Sequence, residues 1–245
     1  MEGLRRIGAT LWKLWLAGCF VVLFLAFFPF FWICFITHYH RGAYVIKIIF
    51  SSLVAACSGL FPRVRNYNAS RRFSMPVVFV CNHASYLDIL LFPVIFHQTS
   101  IFIAKSELLK IPLFNMFFKY LDIPVDRKRP SSGKAALEEA AKRLRSGEHM
   151  IIFPEGTITS SGKLIPFKNG PFKLALDTQV PIVPLAFKNN WKYLQNGGFF
   201  KSLGQPGFPT LTIGKPILTD ASNTDSLEEI KQKVYTFMQA HTLSQ

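Results

Sequence analysis

The order of apolar and polar positions divides the 245-residue chain into two parts. From Leu14 to Thr37 no residue is charged. At ~1.5 Å of rise per residue, a helix of that length matches a hydrocarbon core of ~30 Å. Trp12, Trp15, Trp32 and Tyr39 stand near its two ends, where interfacial aromatics belong. Pro29 is expected to kink or break this helix. A short basic turn, His38-Tyr39-His40-Arg41-Gly42, leads to a second apolar stretch from Ala43 to Phe61 that carries Lys47. The two arms predict a membrane-associated helical hairpin over residues 1–65. The sequence accommodates both a spanning and an embedded first arm. A cleaved signal peptide needs a shorter apolar region than this one.

Beyond residue 75 the pattern changes. Val77–Cys81 is a continuous apolar run of strand length, and Ile101–Ala104, Ile123–Val125, Met150–Phe153, Ile182–Phe187 and Leu211–Ile213 repeat it. Such runs suit strands covered on both faces, as in a parallel sheet. Helical patterns lie between them. Ser131 to Gly147 places Ala135, Ala136, Leu137, Ala140, Ala141 and Leu144 on one face, with Glu138/Lys142 and Glu139/Arg143 at ion-pair spacing. Ser226 and Glu229 have capping-box spacing ahead of Ile230, Val234, Phe237 and Met238. The alternation predicts an α/β layered domain with a mostly parallel central sheet over residues 66–245. The polar, basic stretch 66–74 forms its junction with the hairpin.

Charge sharpens this division. The chain has 28 Lys+Arg and 14 Asp+Glu, a formal charge of +14, yet half of it is hydrophobic. That pairing excludes disorder. Strong positive charge fits either nucleic acid or an anionic membrane surface. Residues 1–75 hold Arg5, Arg6, Lys13, Arg41, Lys47, Arg63, Arg65, Arg71 and Arg72 against Glu2 alone. More than half of the excess therefore flanks the lipid-type segment, and no recognised nucleic-acid motif accompanies the rest. A non-catalytic basic binding protein is the rival reading on charge alone. The four cysteines show neither disulfide nor zinc spacing and read as small buried hydrophobes.

In α/β domains, functional groups gather at the carboxyl ends of strands. Cys81 is followed by Asn82-His83-Ala84-Ser85-Tyr86-Leu87-Asp88, Val125 by Asp126-Arg127, and Phe153 by Pro154-Glu155-Gly156-Thr157. His83 is a general base by type, with an ordinary pKa of ~6.5. Asp88 could orient its ring, provided His83 lies in the strand–helix turn and Asp88 in the first helical turn. Lys105 and Arg127 are candidate anion binders, although Arg127 could equally pair with Asp126. Phosphate-loop spacing and a serine-hydrolase elbow are both absent. Cys81 beside His83 could be a nucleophile, but its place at the end of an apolar strand favours packing.

NHASYLD followed about seventy residues later by FPEGT resembles the membrane glycerolipid acyltransferases, in particular the 1-acyl-sn-glycerol-3-phosphate acyltransferases. The likeness covers about Met75 to Ala186. Its first block falls on His83 and Asp88, with Asn82 and Ser85 fitting. Lys105, Glu107, Leu108, Ile111, Pro112 and Phe114 lead to a second block ending at Asp126-Arg127. Phe153–Thr157 is the third, followed by Pro166-Phe167-Lys168-Asn169-Gly170, and the 180–184 stretch VPIVP resembles the fourth. Asn115 and Asp122 replace frequent glycines, Pro124 an apolar residue, and Ile158 a common arginine. These departures fall where the family recognises its acceptor.

The resemblance implies transfer of an acyl chain from acyl-CoA or acyl-carrier protein to lysophosphatidic acid, giving phosphatidic acid. In that reading His83 is the base and Asp88 its partner. Arg127 and Lys105 hold the acceptor phosphate, and Glu155, Gly156 and Thr157 shape the pocket with Asn82 and Ser85 nearby. A different lysolipid acceptor is the alternative. No metal or bound cofactor is expected, and no nucleic acid. The expected partners are anionic membrane lipids, the lysophospholipid and the acyl donor. The expected location is the cell membrane, with the α/β domain on the cytoplasmic face.

Overall fold

The computed structural model describes residues 2–66, 73–126, 128–159, 163–220 and 224–242. Helices α1 (Glu2–Ile36) and α2 (His40–Cys57) form the N-terminal hairpin. Seven strands follow: β1 (Arg63–Asn66), β2 (Val78–Cys81), β3 (Ser100–Lys105), β4 (Ile123–Val125), β5 (His149–Ile152), β6 (Ile182–Phe187) and β7 (Thr210–Ile213). Between and after them lie α3 (Leu87–Ile95), α4 (Asn115–Tyr120), α5 (Pro130–Arg145), α6 (Gly170–Thr178), α7 (Asn190–Tyr193) and α8 (Leu227–Thr242). The sheet order is β1-β7-β6-β2-β5-β3-β4. Every neighbouring pair is parallel except β6 and β7. The expected α/β layers and mostly parallel sheet are therefore present.

The apolar strand runs supply both faces. Val78 and Val80 point into a core shared with α5, α6 and α8, while Phe79 and Cys81 point into one shared with α3. This is why these strands read as unbroken hydrophobic runs. β1 was not foreseen: it straddles the boundary at 65/66 and pairs with β7 through Arg63↔Thr210 and Val64↔Leu211. An edge strand alternating charged and apolar residues gives only a weak apolar signal. The Ser226–Glu229 capping box is formed, with Ser226 N–H donating to Glu229 Oε2 at 2.7 Å and Glu229 N–H to Ser226 Oγ at 3.3 Å. The expected pairs on α5 are rearranged. Arg143 reaches Glu148 through Nε at 2.7 Å and Nη2 at 2.9 Å. Glu139 pairs with Lys142 at 3.7 Å and Glu138 with Lys134 at 3.9 Å. A bidentate guanidinium–carboxylate pair outcompetes a single-contact pair along the helix.

Helix α1 starts well before the apolar run and continues through Pro29. It is apolar on opposite sides. Ala9, Phe24, Phe31 and Phe35 are buried, whereas Leu4, Ile7, Leu11, Leu14, Val22, Leu25, Ile33 and Ile36 are exposed. The buried stripe lies along the α/β domain. The Trp12 ring packs so closely on Gly204 that a Cβ there would lie 3.0 Å from it, Phe24 meets Phe114 at 6.2 Å, Phe31 meets Phe117 at 4.8 Å, and Phe35 stacks on Tyr120 at 5.0 Å. This packing on both sides of Pro29 offsets the backbone bond that proline removes. The hairpin is fixed to the sheet by a second device. Lys47 of α2 lies 3.6 Å from Asp122 Oδ2 and 5.0 Å from the Phe102 ring centroid, while Asp122 Oδ1 accepts the Phe102 N–H at 3.0 Å. Asp122, a departure from the family's glycine, thus has a structural use. The cysteines are all free, but only Cys34 and Cys81 are buried; Cys19 is half-buried and Cys57 is exposed.

Candidate active site

The residues between β2 and α3 are held from behind. The Asn82 side chain donates to Phe187 O at 3.0 Å and accepts the Phe187 N–H at 2.8 Å, extending the contact of β2 and β6 past the strand ends. Ser85 Oγ donates to Leu194 O at 2.8 Å and accepts the Leu87 N–H at 3.1 Å, satisfying one of the free amides that open α3. Both side chains are buried and engaged with backbone. In this structure both side chains brace the turn that carries His83.

His83 lies in that turn and Asp88 in the first turn of α3, the arrangement required for the two to meet. His83 Nδ1 is 2.9 Å from Asp88 Oδ2. The same oxygen accepts the backbone N–H groups of Ala84 at 2.9 Å and Ser85 at 3.0 Å. Asp88 is fully buried, and these donors hold it as a carboxylate that accepts from Nδ1–H. That tautomer leaves Nε2 as the lone-pair nitrogen. Phe153 fixes the ring plane, stacked on the imidazole with centroids 3.9 Å apart and planes 13° apart.

Asp88 has one further partner that sequence reasoning missed. Asn190, fully buried at the start of α7, donates from Nδ2 to Asp88 Oδ1 at 2.6 Å. It follows the exit of β6, so reading the Lys188-Asn189-Asn190 exit as the three others were read would have found it. The Asn190 Oδ1 has no hydrogen-bond partner among the described residues.

Glu155 comes from the exit of β5 and meets the same turn. Its Oε1 accepts the His83 N–H at 3.1 Å, and the Thr159 N–H donates to His83 O at 2.9 Å. Glu155 Oε2 is buried with no hydrogen-bond partner among the described residues. Burial, followed in importance by the opposing His83 amide contact and the nearby Asp88 charge, pushes the Glu155 carboxyl up to about 8. Glu155 is thus held as a neutral acid near pH 7, clamping the His83 backbone. Gly156 adopts φ +70°, and a Cβ there would lie 2.9 Å from the Lys168 side chain. The positive φ favours glycine here, whereas the Lys168 side-chain end could swing aside. Thr157 is exposed.

The candidate anion binders are less gathered. Lys105 ends β3 beside Val125, is exposed, and pairs with Glu107 at 3.1 Å. Arg127 lies outside the described residues. Among the described residues, Asp126 pairs with Arg129 at 3.3 Å. Arg129, Gly156 and Lys168 line one cavity of about 270 Å³. A larger cavity of about 540 Å³ opens beside Tyr86 and Leu87, walled by Leu16, Phe20, Leu90 and Phe199. Cys81 is buried, and burial raises its thiol well above the ordinary value, which suits packing rather than attack. Among the described residues, no group of three or more His, Cys, Asp or Glu could hold a metal ion.

Comparison with known proteins places this geometry. A family model described as acyltransferase matches residues 62–188. A 1-acyl-sn-glycerol-3-phosphate acyltransferase of Cocos nucifera is 37% identical over 110 residues, covering 44% of this chain and 36% of that protein. The 1-acyl-sn-glycerol-3-phosphate acyltransferase alpha of Mus musculus is 29% identical, covering 66% and 56%. The chain thus matches from about a third to just over half the length of these two curated relatives. The crystal structure of the 1-acyl-sn-glycerophosphate acyltransferase PlsC from Thermotoga maritima superposes with a TM-score of 0.75 at 25% identity, covering 98% of this chain and 95% of that one. On this match, which takes in His83, Asp88 and Glu155, the chain belongs to the acyltransferase family.

Proposed function

We propose that the protein transfers an acyl chain from a thioester, acyl-CoA or acyl-carrier protein, to the free hydroxyl of 1-acyl-sn-glycerol-3-phosphate, giving phosphatidic acid. The observation that carries this reading is the His83–Asp88 contact at the mouth of the sheet, with Nε2 left as the proton acceptor. The hydroxyl oxygen attacks the thioester carbonyl as its proton passes to His83 Nε2. The new C–O bond forms, the C–S bond breaks, and the departing thiolate takes the proton from His83. Asp88 stabilises the imidazolium in between, so no covalent enzyme intermediate and no bound cofactor or metal are required.

Arg127 and Lys105 hold the acceptor phosphate in this reading, with Gly156 and Thr157 on the rim and Glu155 bracing the His83 backbone. The 540 Å³ cavity beside Tyr86 has the apolar walls an acyl chain needs. The membrane supplies both acceptor and destination. Helix α1 is long and apolar enough to cross a bilayer. Packed along the domain from Trp12 to Phe35, it would draw α4 into the hydrocarbon if it stood upright. We therefore read the hairpin as embedded in the surface of one leaflet, its exposed stripe in lipid, at the cytoplasmic face of the cell membrane.

Ile158, where the family commonly has arginine, favours keeping a second acceptor class in view: a lysolipid with a different headgroup. The test is acyl transfer by one purified preparation to a panel of lysolipids. Lysophosphatidic acid should give the highest kcat/KM. A higher value for a lyso-aminolipid would reassign the acceptor while leaving the chemistry in place.

A further inference from the structure

The loop between α7 and β7 lies against the N-terminal half of α1; its Phe199 walls the 540 Å³ cavity, while Phe200 and Lys201 lie outside that lining. Gly197 and Gly198 adopt φ +155° and +98°, turning the chain so that Phe199 and Phe200 form its tip. Their rings meet edge to face at 5.3 Å, and Phe200 remains 74% exposed. The tip is built rather than loose. Gln195 N–H donates to Leu203 O at 3.0 Å, Leu203 N–H donates to Gln195 Oε1 at 2.8 Å, and Ser202 Oγ donates to Gly198 O at 2.6 Å.

Lys13 fixes this loop to α1. Its ammonium is buried and donates to Phe199 O, to Ser202 O at 2.5 Å and to Ser202 Oγ at 3.2 Å. A lysine in an apolar helix directs all of these contacts at one loop, so loop and helix move as a unit. Beside the junction, Arg5, Arg6 and Lys201 line a common cavity of about 520 Å³ with Glu2, Gln195 and Leu203. Glu2 pairs with Arg6 at 2.8 Å. Arg5 and Lys201 have no acidic partner among the described residues. Exposed aromatic rings beside cations without an acidic partner match the boundary between acyl chains and anionic headgroups.

We propose that the 197–201 loop is a membrane-contacting tip, which seats Phe200 among lipid chains while Arg5 and Lys201 take anionic headgroup phosphates. This rests on the membrane-enzyme reading above and adds to it a third membrane element, remote in sequence from the hairpin. Co-sedimentation of the full chain with phosphatidylcholine vesicles, with and without phosphatidylglycerol, tests it. Phe200→Asp should weaken binding to both vesicle types by roughly tenfold or more. The double variant Arg5→Gln/Lys201→Gln should weaken binding only to the anionic vesicles, by roughly 10- to 30-fold. Leu218→Asp, an exposed apolar residue elsewhere, should bind as the wild type does. All three should keep the wild-type melting temperature and transfer rate in detergent micelles.

Wild-type vesicle affinity in Phe200→Asp, or in the double variant, overturns the proposal and leaves the enzymatic reading standing. Absence of acyl transfer by the wild type in micelles overturns that reading and leaves the tip standing. Millimolar inorganic phosphate separates a headgroup from a soluble anion. If it abolishes the preference for anionic vesicles, the cations serve a free phosphate and the membrane assignment fails.

Discussion

Asn190 donates to Asp88 Oδ1 at 2.6 Å across 102 residues of chain, leaving Oδ2 to receive the His83 ring. A buried carboxylate needs every lone pair directed, and Asn190 directs the one that the turn backbone does not reach. Asn190 is in this sense a positioning residue. A hydrogen bond to a charged group is worth ~1.5–3 kcal/mol, so Asn190→Ala should lower kcat about 10- to 100-fold with little change in KM. The loss falls on kcat because Asp88 orients the base and does not touch the substrate. A merely structural loss would raise KM as well as lower kcat.

The Glu155 carboxyl gives a stability prediction with a definite sign. Its folded value of about 8 lies above its ordinary value of 4.5, so the folded state keeps a proton the unfolded chain releases. Its contribution is complete below pH 4.5 and is lost as pH rises through 8. Glu155→Gln, which keeps an acceptor for His83 N–H, should therefore gain stability relative to wild type across pH 5–8, with a slope of at most ~1.4 kcal/mol per pH unit. Chemical denaturation at several pH values measures this. A pH-independent difference would contradict the buried neutral acid.

The Lys47–Asp122 pair makes a separate claim about the hairpin. Both side chains are about nine-tenths buried, so removing one leaves an uncompensated charge. Lys47→Met should destabilise the fold by ~3–5 kcal/mol. Adding Asp122→Asn, which keeps an acceptor for the Phe102 N–H, should recover part of the loss in a double-mutant cycle. Simple additivity of the two losses would show that the pair does not couple α2 to the sheet.

Strands β2 to β7 and the His83–Asp88 pair were legible because their signals are local: apolar runs of strand length, and two residues five apart at a strand exit. Asn190 was open to view as a polar residue at a strand exit, but not as the partner of Asp88, a relation that exists only after β6 pairs with β2. Asn82 and Ser85 were visible as motif members, but their bonds to Phe187 and Leu194 were not, because those partners lie more than a hundred residues away in the sequence. The two-sided apolar helix α1 shows a similar limit. Charge and length do not show that one face of this helix packs on the domain; Phe31 on Phe117 and Phe35 on Tyr120 do. The sequence's positive excess also conceals Lys13, whose ammonium serves a loop rather than a lipid surface.

The central claim is that His83 moves the hydroxyl proton during acyl transfer. The most direct measurement is phosphatidic acid formation from lysophosphatidic acid and an acyl thioester, by wild type and His83→Ala, alongside vesicle binding and melting temperature. The account predicts one free thiol released per phosphatidic acid formed by the wild type. It also predicts a loss of roughly 10²- to 10⁴-fold in the variant, with vesicle binding unchanged and the protein still folded at the assay temperature. Wild-type turnover by His83→Ala would contradict it.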